Sequence, residues 1–292
     1  MPSYYEATAR ERVEGILDPA VFREILPPPS RTLSPHLQAL DLPVAFDDGI
    51  VIGRGSLEGM PVLIGAQEGG FMGGAVGEVH GAKLVGLLAR ALSERVAGVV
   101  LLLESGGVRL QEANAGLIAV SEVIRAILAV RAARIPVAAA IGGQYGCFGG
   151  MGIAAACCSA IVMSEEGRLG LSGPEVIETA RGVEEFDSRD RALVWRTTGG
   201  KHRYLLADCT TLVDDRVEDF RAALACAIRE TDTLDLAAVL HEHAFLERRL
   251  ARYGACADGE DIWSLLGFDD PQRVPLLAAA DLVGAGGRRR AE

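Results

Sequence analysis

The hydrophobic positions near the start of the chain first follow a helical period and then a β period. Residues 5–25 place apolar side chains among charges at helical spacing, and the prolines at 27–29 end that pattern, which predicts a helix followed by a connector. From Gly49 onward the spacing is typical of strands. Glycines punctuate two predicted strands, 50–54 and 61–67, in the manner of a hairpin.

A repeated order of strand, glycine turn and helix follows this hairpin. The glycine-rich loop that starts at Phe71 leads into a predicted helix of about 18 residues. The apolar strand VAGVVLLLE, a helix from about Leu110 to Arg134, the strand IPVAAAIGG, the helix GGMGIAAACC and the strand AIVMSEEG come next. This order predicts an α/β fold with buried strands and functional loops at their carboxyl ends. From about Arg181 the chain becomes more charged, and helices are predicted as far as Leu250.

Composition and charge exclude several classes of protein. The chain has 292 residues, a formal net charge of −11 and 49% hydrophobic residues, so it should bury a large core without metal or disulfide staples. Net acidity argues against a nucleic-acid or anionic membrane partner. Glycines split the uncharged run 135–164, so we interpret it as strand, loop and helix rather than as a membrane span. The basic run 288–290 is expected to be a solvated tail.

The cysteines and the N-terminus bear on metal binding and compartment. None of the six cysteines forms a C-x-x-C pair or lies at ligand spacing from a histidine, so no metal site is expected. The first 17 residues carry charges where a signal peptide would need an apolar region, which favours a reducing cytoplasm.

Three glycine turns follow consecutive predicted strands and carry the candidate chemistry. They are F-M-G-G at 71–74, E-S-G-G at 104–107 and F-G-G at 148–150. Glycine permits positive φ and close approach of a ligand to the backbone, and a helix that starts after the turn adds its positive dipole end. Two N–H groups aimed at one oxygen form an oxyanion hole, which suits a thioester carbonyl that becomes an enolate. Each turn taken alone could equally be a plain tight turn.

The surrounding sequence resembles a known family over about 170 residues. The segments that carry the resemblance are ARERVEGILDPAVFREI (9–25), VIGRGSLEGMPVLIGAQEGGFMGGAVGEVHGAK (51–83), LLLESGGVRLQEA (101–113) and GRLGLSGPEVIE (167–178). In this order they are similar to the N-terminal half of carboxyltransferases that act on acyl thioesters, within the crotonase-like superfamily. The resemblance implies a crotonase-like ββα spiral with flanking helices. The corresponding division is an N-terminal helix and connector (1–45), a carboxyltransferase N-half domain (46–250) and a C-terminal helical segment with a flexible tail (251–292).

Departures from the family pattern narrow the resemblance. The chain has no four-cysteine zinc ribbon of the acetyl-CoA carboxylase β chain, and it is too short for the two halves of the propionyl-CoA type. With the segment SRDRALVWRTTGGKHR (188–203), it resembles the β subunits of malonate decarboxylases. That likeness implies decarboxylation of a malonyl thioester on an acyl carrier protein. The carrier would bear a phosphoribosyl-dephospho-CoA arm, a γ subunit would complete a heterodimer or heterotetramer, and this chain would bind no cofactor of its own.

The resemblance also implies roles for individual residues. Gly149 and Gly150 fall where the family binds the thioester oxygen, and they are the predicted catalytic donors. The predicted substrate-binding residues are Ser105, Gly106, Gly107, Arg109, Gly73 and Gly74; for the last two, backbone packing is the favoured role. Arg109 could face the malonyl carboxylate, but an ion pair with Glu112 or a contact with the carrier is as plausible, because holding that carboxylate would slow loss of CO2. Glu104 and His80 are further polar candidates, and His80 is expected to be structural. Cys147 is interpreted as a buried filler.

Three other functions remain open at this stage. The carboxyl group could pass to or from biotin instead of leaving as CO2. A crotonase-type hydratase or isomerase is disfavoured, because the predicted helix after Gly149 has no carboxylate to act as a base. The chain could also be a scaffold subunit without catalysis.

Overall fold

The computed structural model describes residues 3–230 and 233–286, and within them seven strands form one mixed sheet in the order β1-β2-β3-β4-β5-β6-β7. The strands are β1 (Arg23–Ile25), β2 (Ile50–Leu57), β3 (Met60–Gln67), β4 (Gly98–Leu102), β5 (Val137–Ile141), β6 (Ala160–Ser164) and β7 (Thr211–Val213). The first three strands pair antiparallel, and β3 to β7 pair parallel.

Twelve α-helices surround the sheet within these residues. They are α1 (Ala9–Ile16), α2 (Pro35–Ala39), α3 (Glu78–Glu94), α4 (Asn114–Ala132), α5 (Gly149–Ala156), α6 (Pro174–Arg181), α7 (Arg191–Thr198), α8 (Gly200–Leu205), α9 (Val217–Arg229), α10 (Leu236–Tyr253), α11 (Gly259–Leu265) and α12 (Ala279–Gly286). Four short 3-10 helices lie at Pro28–Ser30, Met72–Gly74, Leu110–Glu112 and Pro271–Leu276.

The predicted hairpin is confirmed and fixes the register of the antiparallel edge. Leu57 lies opposite Met60, so only Glu58 and Gly59 form the turn, and both have positive φ (50° and 77°). This is the two-residue turn whose twist matches that of the flanking strands.

The central parallel strands β4 and β5 are apolar throughout because both faces of the sheet are covered. On one face, Val99 and Leu101 of β4 join a core cluster with side chains of α3 and α4. On the other face, Val100 and Leu102 pack in a second cluster with side chains of α1 and α9. Alternate residues of one strand therefore enter two different cores, which is why the sequence shows continuous apolar runs instead of alternation.

The predicted helix over 5–25 is wrong in its second half. The helix α1 ends at Ile16, and Arg23–Ile25 forms the edge strand β1, with Glu24 opposite Gly53. Leu17 has extended backbone angles (φ −80°, ψ 162°), and the side chain of Asp18 accepts from the N–H groups of Glu58 and Gly59. These contacts turn the chain onto the sheet.

Two other regions also bear on the predictions. The uncharged run 135–164 forms β5, a loop, α5 and β6, as predicted, and among the described residues no helix has both the length and the apolar character to cross a bilayer. The helix predicted from Leu110 starts at Asn114, after a 3-10 turn and Ala113, whose φ is positive (47°). The basic run 288–290 lies outside the described residues.

Candidate active site

The three glycine turns meet at one edge of the sheet. They follow β3, β4 and β5, which are neighbouring parallel strands, so their carboxyl ends lie side by side. Hydrogen bonds join the turns directly. The N–H of Gly106 donates to the carbonyl oxygen of Gly73 at 2.8 Å, and the N–H of Phe148 donates to the carbonyl oxygen of Ser105 at 2.8 Å. The residues that the sequence placed apart along the chain therefore form one cluster.

Gly107 and Gly149 bring the second and third turns into close contact. A Cβ on Gly149 would lie 3.1 Å from the Cα of Gly107, and a Cβ on Gly107 would lie 3.8 Å from the Cα of Gly149. Both residues have positive φ, 129° and 61°. Glycine is needed here for its backbone angles and, at Gly149, also for this contact.

Only some N–H groups of this cluster already have a protein acceptor among the described residues. The N–H of Gly149 donates to the carbonyl oxygen of Leu171 at 3.0 Å, and that of Gly107 donates to the hydroxyl of Ser105 at 3.2 Å. The N–H groups of Gly150 and Met151 have no acceptor among the described residues, because they lie in the first turn of α5. The N–H of Gly149 is therefore occupied, whereas Gly150 stays a predicted donor and Met151 is a candidate donor that the sequence argument overlooked.

Gly150 also has a packing role. A Cβ at this position would lie 2.6 Å from Cγ1 of Val120 on α4. The missing side chain therefore lets α5 pack closely on α4. Because α5 carries no acidic residue, the helix offers no carboxylate base of the hydratase kind.

The turn at 71–74 is dominated by backbone packing. A Cβ on Gly74 would lie 1.8 Å from the carbonyl oxygen of Glu104, so only glycine fits there. Gly73 has a φ of 64° and accepts the hydrogen bond from Gly106 through its carbonyl oxygen. Ser105 is buried, and its hydroxyl donates to the carbonyl oxygen of Gly107 at 3.2 Å. These contacts hold the first two turns together.

Arg109 lies in a buried ion cluster. Its Nη1 lies 3.0 Å from both carboxylate oxygens of Asp48 and 2.8 Å from Oε1 of Glu112, and its side chain has no exposed surface. Burial raises the pKa of Asp48, and the opposing charge of Arg109 only partly offsets this. The structure therefore contains the ion pair of Arg109 with Glu112, which was one of the alternatives for this residue. Asp48 was missed because nothing in the local sequence links it to Arg109.

His80 and Cys147 are both sealed from solvent. The Nδ1 of His80 lies 3.2 Å from the carbonyl oxygen of Asp48, and its Nε2 lies 3.1 Å from Nε2 of Gln67. Burial lowers the pKa of His80 to about 3, so its ring is neutral near pH 7. Burial raises the pKa of the Cys147 thiol, which keeps it protonated. Neither side chain is placed for proton transfer to a substrate.

Comparison with known proteins identifies the family of this chain. The family model described as the carboxyl transferase domain matches residues 5–201. The chain belongs to the carboxyl transferase family. It is 40% identical over 310 aligned residues to the malonyl-S-ACP:biotin-protein carboxyltransferase MADC of Malonomonas rubra, with 99% of this chain and 97% of that protein covered.

Solved structures of relatives have the same fold. A chain of the Pseudomonas malonate decarboxylase hetero-tetramer in complex with malonate superposes with a TM-score of 0.82 and 39% identity, covering 91% of this chain and 97% of that one. A chain of the Pseudomonas MdcD-MdcE hetero-dimer gives a TM-score of 0.67 and 37% identity, with coverage of 85% and 96%. The predicted crotonase-like fold of this chain is therefore confirmed.

Proposed function

We propose that this chain is the malonate decarboxylase subunit that holds the malonyl thioester, and that it works with a complementary subunit to release CO2. The observation that carries the proposal is coverage. The malonyl-S-ACP:biotin-protein carboxyltransferase of Malonomonas rubra matches 99% of this chain, whereas the acetyl-CoA carboxylase β subunit of Fusobacterium nucleatum matches 60% at 29% identity. Similarity that extends through the C-terminal helices favours the malonate systems over acyl-CoA carboxylation.

The glycine cluster supports this chemistry. When the bond between the malonyl carboxylate and Cα breaks, its electron pair moves to Cα and the thioester carbonyl, which leaves an enolate and CO2. Preorganised N–H groups lower the barrier by stabilising the enolate oxygen. We assign this role to the N–H of Gly150 at the start of α5, with a second donor from Met151 or from Gly107, whose present acceptor is the rotatable Ser105 hydroxyl. A proton then adds to Cα and yields the acetyl thioester.

The position of Arg109 fits a decarboxylase. A guanidinium that held the malonyl carboxylate would stabilise the ground state and oppose loss of CO2. Because Asp48 and Glu112 neutralise Arg109 in the interior, the chain brings no such clamp from this residue. The malonyl carboxylate would therefore not be bound by Arg109.

We further propose that the partner is the γ subunit and that the substrate is carried on the phosphoribosyl-dephospho-CoA arm of an acyl carrier protein. Exposed apolar side chains lie on elements next to the cluster, at Leu117 and Ile118 of α4, Ile153 of α5 and Leu171. Apolar groups at such positions suit a subunit that covers the site and excludes water from it. The chain would be cytoplasmic.

The second candidate is transfer of the carboxyl group to biotin, which the name of the Malonomonas relative favours. The experiment that separates the two uses the reconstituted complex and a malonyl-carrier thioester labelled in the free carboxylate. Release of labelled CO2 that persists in the presence of avidin supports direct decarboxylation. Release that needs a biotinylated carrier protein, and that avidin blocks, supports transfer to biotin.

A further inference from the structure

Glu104 lies at the centre of the glycine cluster, but it is not one of the proposed N–H donors. It follows β4 and directly precedes Ser105, and it is only 4% exposed. Its carboxylate Oε1 accepts a hydrogen bond from the N–H of Tyr145 at 3.0 Å. Tyr145 belongs to the loop that leads into Phe148 and α5. One carboxylate thus links the second turn to the third.

The same side chain is enclosed by glycines of two loops. A Cβ on Gly143 would lie 2.3 Å from the carboxylate carbon of Glu104, and a Cβ on Gly69 would lie 2.6 Å from it. The N–H of Glu104 donates to Oε1 of Gln67 at 3.0 Å, and its carbonyl oxygen packs on Gly74. Glu104 is therefore in contact with all three loops that carry the glycine turns.

Arg12 of helix α1 forms an ion pair with this carboxylate. Its Nη1 pairs with Oε2 of Glu104, and the two side chains are 2% and 5% exposed. Its Nε donates to the carbonyl oxygen of Tyr4 at 2.9 Å, and its guanidinium lies over the Tyr4 ring. Because α1 packs on β2 and β3 and on α9, Arg12 ties the glycine cluster to a helix that is packed on the sheet.

We propose that Glu104, fixed by Arg12, is a positioning residue that sets the placement of the glycine turns and through them of the Gly150 donor. This inference rests on the proposed decarboxylase function. Displacement of a catalytic group by about 1 Å, even by a mutation far from the chemistry, can cost about 100-fold in rate. The pair would therefore act on kcat more than on KM, although neither residue touches the reacting atoms.

The test compares two variants with a matched control in the complex with the complementary subunit. Glu104→Gln keeps an acceptor for Tyr145 but leaves Arg12 without its counter-charge. Arg12→Met/Glu104→Leu removes both charges, so no lone charge is left buried and folding should survive. Arg221→Gln is the control, because Arg221 also anchors the α1 region, at Ile16 and Asp18, but does not reach Glu104.

We expect kcat to fall about tenfold or more in both variants and KM to change less than about threefold, whereas the control keeps kcat within about twofold. Amide hydrogen exchange of residues 104–107 and 143–150 should become faster in the two variants but not in the control. The proposal is overturned if the double variant folds with wild-type kcat, or if Arg221→Gln loses as much kcat. Hydrogen exchange is measured without turnover, so unchanged exchange in the variants rejects the positioning role even if the complex does not decarboxylate. Absence of turnover in the wild-type complex rejects only the proposed function.

Discussion

The carbonyl oxygen of Leu171 accepts a hydrogen bond from the backbone N–H of Gly149 at 3.0 Å. Leu171 lies in the loop between β6 and α6, and its side chain is 69% exposed. This one contact changes which donors α5 can offer to a thioester oxygen. The next two N–H groups of the helix, those of Gly150 and Met151, have no such acceptor within the described residues.

The first prediction isolates the N–H of Gly150. Proline lacks this group yet is tolerated in the first turn of a helix, so Gly150→Pro deletes the donor. Because a side chain here meets Val120, the change is made together with Val120→Ala, and the matched control is Gly150→Ala/Val120→Ala. Relative to this control, we expect kcat to fall by about 10² to 10³-fold, which corresponds to loss of one oxyanion donor.

Stability measurements accompany this comparison. Gly150→Ala alone should cost about 1–3 kcal/mol in the free energy of unfolding through overpacking against Val120, and Val120→Ala should relieve part of it. Equal kcat for the proline and alanine double variants, at equal thermal midpoints, would show that the N–H of Gly150 does not stabilise the enolate.

The second prediction concerns Arg109. Replacing it by methionine leaves the carboxylates of Asp48 and Glu112 buried without their counter-charge. We expect Arg109→Met to lower the free energy of unfolding by about 3–5 kcal/mol. In the folded fraction, KM for the malonyl-carrier thioester should stay within about twofold. Urea denaturation and steady-state kinetics check these two expectations. A large rise in KM at unchanged stability would instead mean that the guanidinium binds the malonyl carboxylate.

The third prediction is a loss of stability on acidification. Burial lowers the pKa of both His80 and His202 to about 3. An unfolded histidine has a pKa of about 6.5, so below that pH the unfolded chain binds protons that the folded chain refuses. Their contribution is therefore fully present above pH 6.5 and is lost as the pH falls toward 3. From pH 7 to pH 5 each should cost about 2 kcal/mol.

Urea titrations at pH 7 and pH 5 measure this loss. His202→Asn should reduce the difference between the two pH values by about half of the combined effect, because one of the two buried rings is removed. His241→Asn, at an exposed position on α10, is the control for the substitution itself. A difference that His202→Asn leaves unchanged would contradict the prediction.

The fourth prediction is that the chain alone releases no CO2 from malonyl-carrier thioester. Leu110, Ile118 and Leu171 near the glycine cluster are 85%, 61% and 69% exposed, so the cluster lacks an apolar cover within the described chain. The isolated chain should self-associate through these exposed apolar side chains, and adding the complementary subunit should produce turnover and remove the self-association. Labelled CO2 release and sedimentation of each subunit alone and of the mixture check this. Turnover by the isolated chain near the rate of the mixture would mean that its site is complete.

The sequence by itself determined the local elements and the positions of the glycine turns. The turn at Glu58–Gly59 and the glycine turns at 71–74, 104–107 and 148–150 depend on residues within a few positions of each other, so glycine and the two-residue period of strands reveal them. The order of strand, turn and helix then implied parallel strands with neighbouring carboxyl ends. For this reason the cluster of glycine turns could be expected before the fold was known.

Only the tertiary structure decided which groups of that cluster are occupied. Arg109 is neutralised by Asp48, which lies 61 residues away in sequence, and Gly149 donates to Leu171 in another loop. The segment Arg23–Ile25 likewise became a strand because an open edge of β2 was available to it. Such pairs depend on sheet register and on how loops close around a buried core. A local pattern of hydrophobic and polar residues does not encode these distances.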